Sequence, residues 1–395
     1  MNNFKRVPIS ISSDYVAHWG VWEAIRELLQ NAIDTKDYLV EEEDCTLTIT
    51  SRGGKIPLKA LLLGNSGKRD DDSAIGTYGE GLKLAMVVLL RNNKGITIKN
   101  GNDLWTPIFE YSELFEGESL SVVIEENVFP SEEDVVVTVS GLNWSDLEEF
   151  DKNYIDLPSL VQGEIGAESS RGIALYRKYE TDGEAEEAEL SDRLDSRVFV
   201  NGLYVGTVPG KYFYNYSFRP EYLNLDRDRN TVPRWEFQYE TTRLLASSNH
   251  PAEIARLSVS DYNDVANYTK SGGSYYSGGV STEKSEAITQ FATDGFIETY
   301  GADAFPINDN WSIGKKTLVT QKVVLAGKVP VNVSNSLYEM ISKNYQVEDK
   351  LEEMLKFDPI KYLSGFLDRF NDTLPEKAKS ELEETVLTLK IAKGD

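Results

Sequence analysis

Residues 23–34 read Glu-Ala-Ile-Arg-Glu-Leu-Leu-Gln-Asn-Ala-Ile-Asp, and residues 75–85 read Ile-Gly-Thr-Tyr-Gly-Glu-Gly-Leu-Lys-Leu-Ala. At about 100° per residue, Glu27, Asn31 and Asp34 fall within one narrow arc of a helix, while Trp22, Ile25, Leu29 and Ala32 form an apolar face suited to packing on a sheet. A carboxylate can polarise an attacking water, and an amide oxygen one turn on can ligate Mg²⁺. The same stripe is also what the wet side of an ordinary surface helix looks like. The second stretch narrows the choice. Gly76, Gly79 and Gly81 let the backbone approach a ligand closely. The run Leu82–Leu90, apolar apart from Lys83, predicts a buried helix whose N-terminus offers free N–H groups to phosphate. Taken alone, such a glycine turn is commonly structural. Coming after the 27/31/34 helix, it points to an anionic ligand.

Working outward, residues 64–81 are rich in Gly, Ser and Asp and predict a loop. Segments near 47–50, 95–99 and 120–125 read as strands, and 134–142 alternates like a strand before a turn. The expected fold class is α+β, a mixed sheet layered with helices up to about residue 150.

In this order, the segments resemble the N-box and second glycine box of the GHKL ATPases. That superfamily includes gyrase B, MutL, the large heat-shock chaperones, MORC proteins and sensor histidine kinases. Leu63-Gly64-Asn65-Ser66-Gly67-Lys68 is similar to the G-x-S-x-K stretch of MORC-like and chaperone-like members. The resemblance implies an N-terminal Bergerat fold, a two-layer α/β sandwich, over 1–150, with ATP and Mg²⁺ as ligands. It implies Glu27 as general base, Asn31 as the Mg²⁺ ligand and Asp34 as support. Gly76, Tyr78, Gly79 and Gly81 would bind the nucleotide, and Ser66, Lys68 and Lys83 would reach the phosphates from a closing lid. One element departs from the pattern. The family's first glycine box is D-x-G-x-G, whose Asp binds the adenine amino group. Here the matching stretch is Ser51-Arg52-Gly53-Gly54-Lys55: Gly53 fits, Ser51 stands in place of Asp, and Lys55 in place of the second Gly. A hydroxyl accepts that bond neutrally and more weakly. Thr138, in Asp134–Leu142, matches the Thr of the family's closing strand, which in the family lies beside the adenine-binding Asp, so the resemblance implies a place for it next to Ser51.

A β-rich, transducer-like extension is expected over 151–250. Residues 180–195 are acidic and read as a solvated loop, and Arg197–Gly206 reads as a hairpin turning at Asn201-Gly202. With Leu223-Asn-Leu-Asp-Arg-Asp-Arg-Asn at 223–230, this arrangement resembles phage rIIA-like GHKL proteins. The resemblance makes Arg227, Arg229 and Lys211 candidate γ-phosphate sensors; the plainer alternative pairs the arginines with Asp226 and Asp228. Residues 271–279 (Ser-Gly-Gly-Ser-Tyr-Tyr-Ser-Gly-Gly) read as a linker or lid-like loop. A small α/β unit is expected over 251–334, with a helix at Glu283–Tyr300 and strands at Ala304–Asn308 and Lys328–Val333. A helical tail over 335–395 breaks near Asp358-Pro359 and Leu374-Pro375. Its stripe of Leu382, Val386 and Leu389 suits either self-association or packing within its own domain.

Composition bounds the partners. The chain of 395 residues carries 41 Lys and Arg against 65 Asp and Glu, a net charge of −24. Non-specific nucleic-acid binding rests on basic residues neutralising phosphates, so nucleic acid is disfavoured as a partner. A surface that mimics DNA to occupy a host protein is the contrary reading of the same acidity. One Cys and two His leave little for a zinc site, a disulfide or a phospho-accepting kinase. No long apolar run or signal peptide is visible, so the expected setting is the cytoplasm (the host's, if phage-encoded) without membrane attachment. ATP, a homodimer and a protein partner are the associations to consider. The leading expectation is a slow, Mg²⁺-dependent ATPase acting as a nucleotide-driven conformational switch. The competing one is a non-catalytic interaction protein on a degenerate GHKL scaffold.

Overall fold

In the computed structural model, residues 4–62, 80–113, 116–130, 133–177, 194–223, 232–248, 250–268, 282–355 and 358–393 are described. The chain divides into two compact units, Met1–Ser248 and Asn249–Asp395. The fold is α+β in both: the sheets of the first unit are antiparallel apart from one parallel strand pair, and the second unit packs helices around a two-stranded parallel sheet.

The first unit opens with β1 (Phe4–Ser12), α1 (Val21–Ile33), β2 (Tyr38–Glu43) and β3 (Thr46–Ser51). It continues through α2 (Gly81–Arg91), β4 (Gly95–Asn100), β5 (Asp103–Ser112), β6 (Gly117–Glu125), β7 (Val135–Ser140) and α3 (Trp144–Asn153). Seven strands form one antiparallel sheet in the order β1-β6-β5-β4-β7-β3-β2. Period-two alternation gives this sheet a dry and a wet face. Leu47 and Ile49 of β3, Ile96 and Ile98 of β4, and Val135, Val137 and Val139 of β7 share one core with Ile25, Leu29, Ala32, Ala85, Val88 and Leu89 of the two helices. The alternate residues Thr48, Thr97 and Thr138 lie side by side across β3, β4 and β7 on the other face. Trp22, Ile25, Leu29 and Ala32 are all buried, as a helix laid on a sheet requires.

A second sheet follows in the same unit: β8 (Ile165–Ser169), β9 (Gly172–Leu175), β10 (Ser196–Val200), β11 (Leu203–Val208) and β12 (Asn215–Phe218), in the order β11-β10-β12-β9-β8, with α4 (Arg234–Ser247). The β10–β11 hairpin turns at Asn201 and Gly202, both at positive φ, which Asn and Gly adopt at least cost. Its core is aromatic, with Tyr212, Tyr214, Tyr216, Phe218 and Phe237 fully buried. Tyr154 and Leu203 belong to the core of the first sheet, so the two sheets share apolar contacts rather than separating at residue 150.

The second unit holds α5 (Pro251–Val259), α6 (Thr282–Tyr300), β13 (Ala304–Asn308), α7 (Ile313–Leu325), β14 (Val329–Val333), α8 (Asn335–Ile341), α9 (Val347–Leu355), α10 (Pro359–Phe370) and α11 (Glu376–Lys393). β13 and β14 pair in parallel through α7. Asp358 caps α10 by accepting from the N–H groups of Ile360 and Lys361, and Pro359 sits at its first position. In α11, Val386 is buried, Leu382 and Leu389 are half-buried, and α11 packs along α10. No helix among the described residues is long and apolar enough to cross a membrane.

Candidate functional site

From Val21 to Asp34, every position of α1 and its C-cap is buried except Glu23, Glu27, Asn31 and Asp34. These four recur at the helical period, so the core leaves one polar edge of the helix open to solvent. Asn31 donates from Nδ2 to the Glu27 carbonyl oxygen at 2.9 Å. That bond engages the amide nitrogen, so its oxygen is the atom it offers a hard cation. Arg26 lies beside the stripe with its guanidinium Nη2 3.6 Å from Glu27 Oε1.

The start of α2 meets this edge. A Cβ built on Gly81, its first residue, would collide with the Glu27 carboxylate, coming within 3.2 Å of Cδ. Only a glycine lets the helix start approach so closely, and it brings the positive dipole end of α2 to the carboxylate. Two segments distant in sequence thus bring a carboxylate, an amide and a helix N-terminus to one place. The remaining glycine-box residues, Gly76, Tyr78 and Gly79, lie outside the described residues, as do Ser66, Lys68, Arg227 and Arg229. The acidic 180–193 stretch and the 271–279 linker do so too.

Lys83 is fully buried, and its ammonium donates to the carbonyl oxygens of Ala60 at 2.7 Å and Leu62 at 2.9 Å. Burial pulls its pKa below the ordinary lysine value, against a smaller opposing pull from Glu80. The reason lies in its neighbours: Leu84 to Leu89 are all buried, so α2 has no wet face there on which a lysine could stand. Lys83 therefore anchors the chain between β3 and α2. Two further ties hold that chain: Asn100 is bonded to both the N–H and C=O of Ile56, at 2.7 and 2.9 Å, and Gly53, at φ +76°, donates to Asp134 Oδ1 at 3.4 Å.

Ser51 ends β3 on the face that carries Leu47 and Ile49, towards the helices, opposite Val135 of β7. Thr138 is not brought to it. It stands opposite Thr48 and Thr97 on the outer face, because it lies three positions along from Val135 and an odd step along a strand changes face. An apolar valine thus stands beside Ser51, where the resemblance placed a threonine. Lys211 lies in the second sheet's region, exposed, in a bridge with Leu194. Among the described residues, no group of three His, Cys, Asp or Glu could hold a metal.

No family model matches the chain. It is similar to an uncharacterised protein of Mycoplasma pneumoniae (strain ATCC 29342 / M129), 23% identical over 249 residues, covering 59% of this chain and 94% of that protein. That likeness brings no activity with it.

Two residues at this site carry no sequence signal. Arg26 reads as one more charge on a helix, and Asn100 as a strand-end polar residue. Only the fold shows the first against Glu27 and the second clamping Ile56.

Proposed function

We propose that this protein binds Mg²⁺-ATP in the GHKL manner and hydrolyses it slowly as a conformational switch. The observation that carries this reading is the packing of Gly81, at the head of α2, against the Glu27 carboxylate. In this reading the triphosphate lies over the N-terminus of α2, where backbone N–H groups and the helix dipole favour anions. Glu27 polarises the attacking water, and the Asn31 oxygen holds the cation. The donor set fits a hard cation that takes its other ligands from phosphate and water, since the described residues supply an amide and a carboxylate but no all-protein cage. Bound Mg²⁺ would supply charge neutralisation on the phosphates. Glycine-loop closure over the ligand and self-association are the switching elements the reading calls for.

The test is calorimetric titration of the whole chain with Mg²⁺ and a non-hydrolysable ATP analogue, with the GTP analogue as control. Saturable binding of the ATP analogue is expected. Glu27→Ala should retain binding but lose hydrolysis by about 100-fold or more, the share a general base commonly supplies. A Glu27→Ala variant with the wild-type rate would sink the catalytic assignment.

One set of observations favours a second reading, a non-catalytic interaction protein on this scaffold. Ser51 replaces the acid, Val135 rather than Thr138 stands beside it, and Lys83 is committed to backbone carbonyls. That reading expects no heat with either nucleotide at two temperatures, and no change of phenotype with Glu27→Ala.

A further inference from the structure

The second unit leaves aliphatic side chains in water on two of its helices. Val319 and Val323 of α7 are buried, and the helix packs on β13 and β14. Away from them run Lys315, Leu318, Lys322 and Leu325 at helical spacing, with Leu318 50% and Leu325 42% exposed. Ile313 and Val324 of the same helix are exposed as well. On α11, Val386 is buried and Leu382 and Leu389 are half-buried, so that stripe belongs to the packing along α10. A second stripe, Glu384, Leu387 and Ile391, points elsewhere: Leu387 is 58% and Ile391 69% exposed.

Aliphatic groups gathered in this way on a soluble surface mark a contact with another molecule. The two faces are opposite in charge. No acidic residue occurs along α7, whereas Lys315, Lys316 and Lys322 do. Asp309 pairs with Lys316 at 2.8 Å, but Lys315 lies over the Trp311 ring, 4.1 Å from its centre, and that contact leaves its positive charge in place. The α11 stripe is headed by the exposed carboxylates Glu383 and Glu384.

Spacing matches as well as charge. Glu384, Leu387 and Ile391 repeat the intervals of Lys315, Leu318 and Lys322, three residues and then four. Laid side by side in parallel, the stripes set Glu384 against Lys315 and Leu387 against Leu318, and the methylene stem of Lys322 covers Ile391. In the antiparallel sense, Lys315 would meet Lys390 when the leucines met.

We propose that α7 of one copy of this chain docks in parallel against α11 of a second copy. A second copy is the occupant because the chain carries both halves of the match. Two α7 helices would set lysine against lysine with no acid on either, and two α11 helices would leave the α7 face open. The contact is heterologous, so each copy accepts one neighbour on α7 and another on α11, and association runs past the dimer unless a ring closes. It needs no nucleotide and does not rest on the ATPase reading.

The test is sedimentation velocity of the full-length, nucleotide-free protein from low to high micromolar concentration. The wild-type mass should rise with concentration and pass that of a dimer. Leu318→Asp and Leu387→Asp, at exposed positions, should keep the wild-type circular dichroism and each weaken association by about tenfold or more, the share of one buried aliphatic side chain. Lys315→Glu and Glu384→Lys should each weaken it by about threefold or more, as reversal of an exposed ion pair does. Mixing these two charge variants, or combining both changes in one chain, should restore it, since opposite charges again meet at every contact. Wild type that stays monomeric throughout overturns the proposal. So does association that survives Leu318→Asp, that responds to the α11 changes alone, or that the combined charge variant fails to restore. Wild type is also spun with vesicles of phosphatidylserine and phosphatidylcholine. Binding that Leu318→Asp abolishes would give the α7 face to lipid and overturn the proposal too.

Discussion

Gly81 is placed so that opposing effects can be weighed. In an unhindered helix, Gly→Ala stabilises by up to about 1 kcal/mol. Here the new methyl collides with the Glu27 carboxylate, and the clash is relieved only by moving the two groups the proposed site depends on. Gly81→Ala should therefore remain folded by circular dichroism but weaken ATP-analogue binding at least tenfold, read by the same calorimetry. Lys83 gives a second residue-scale prediction. Lys83→Met removes two charge-assisted bonds to carbonyls, partly offset by relief from burying a charge, for a net loss of about 1 kcal/mol at pH 7. Its folded pKa lies below the ordinary value of 10.5, so between the two the unfolded chain carries more protons and wild-type stability rises with pH. The variant lacks that rise. Urea unfolding at pH 7 and pH 10 should show the gap widening, and a constant gap would refute the assignment. Glu27, Asn31 and Asp34 were legible in sequence because a helical period converts directly into a shared edge. Lys83 and Thr138 were not. Lys83 lies in a run where every neighbour is buried, and the parity that sends Thr138 outward depends on which β7 residues meet the core.

At the scale of elements, the strongest stays are arginines bonded to backbone. Arg91, the last residue of α2, donates to the carbonyl oxygens of Ser13, Tyr15, Val16 and Trp19, at 3.4, 3.0, 3.2 and 2.9 Å, and so fixes the connection from β1 into α1. Arg91→Met should cost about 3 kcal/mol, because hydrogen bonds from a charged donor are each worth about 1.5–3 kcal/mol and solvent recovers part of the loss. Chemical denaturation measures it, and a loss under about 1 kcal/mol would show the loop to be held by its apolar residues instead. In the second sheet, Arg171 pairs with Glu240, both largely buried, and Tyr222 covers the guanidinium at 4.5 Å. Burial pushes the Glu240 carboxyl up, with Arg171 opposing. A carboxyl raised on folding holds its stabilising share below the ordinary carboxyl pKa and loses it as pH climbs through the raised value. The hairpin at Asn201-Gly202 and the break at Asp358-Pro359 were readable, since both follow from local backbone chemistry. The order of the seven strands was not. β7 enters between β4 and β3, and such non-local pairing leaves no trace in a single strand's alternation.

For the molecule as a whole, composition makes the firmest prediction. With a net charge of −24, the chain should give no anisotropy change with a fluorescent duplex or single strand at micromolar protein and physiological salt. Saturable binding that weakens with salt would instead reveal a basic surface assembled by the fold. The division into two units falls after Ser248, where composition changes little. The aromatic residues from Tyr212 to Phe237 explain why the second sheet can be small: a few large buried rings supply the area that short strands lack.

The ties at the two ends of α2 have a mechanical consequence. At its head the helix abuts Glu27 through Gly81, and at its tail it grips the loop that launches α1 through Arg91. A rod fastened at both ends to the same neighbour cannot slide along it; it passes on force without travel. A displacement driven by the proposed ligand at the head of α2 would then be taken up by chain outside this α1–α2 frame, with the frame itself as the anvil.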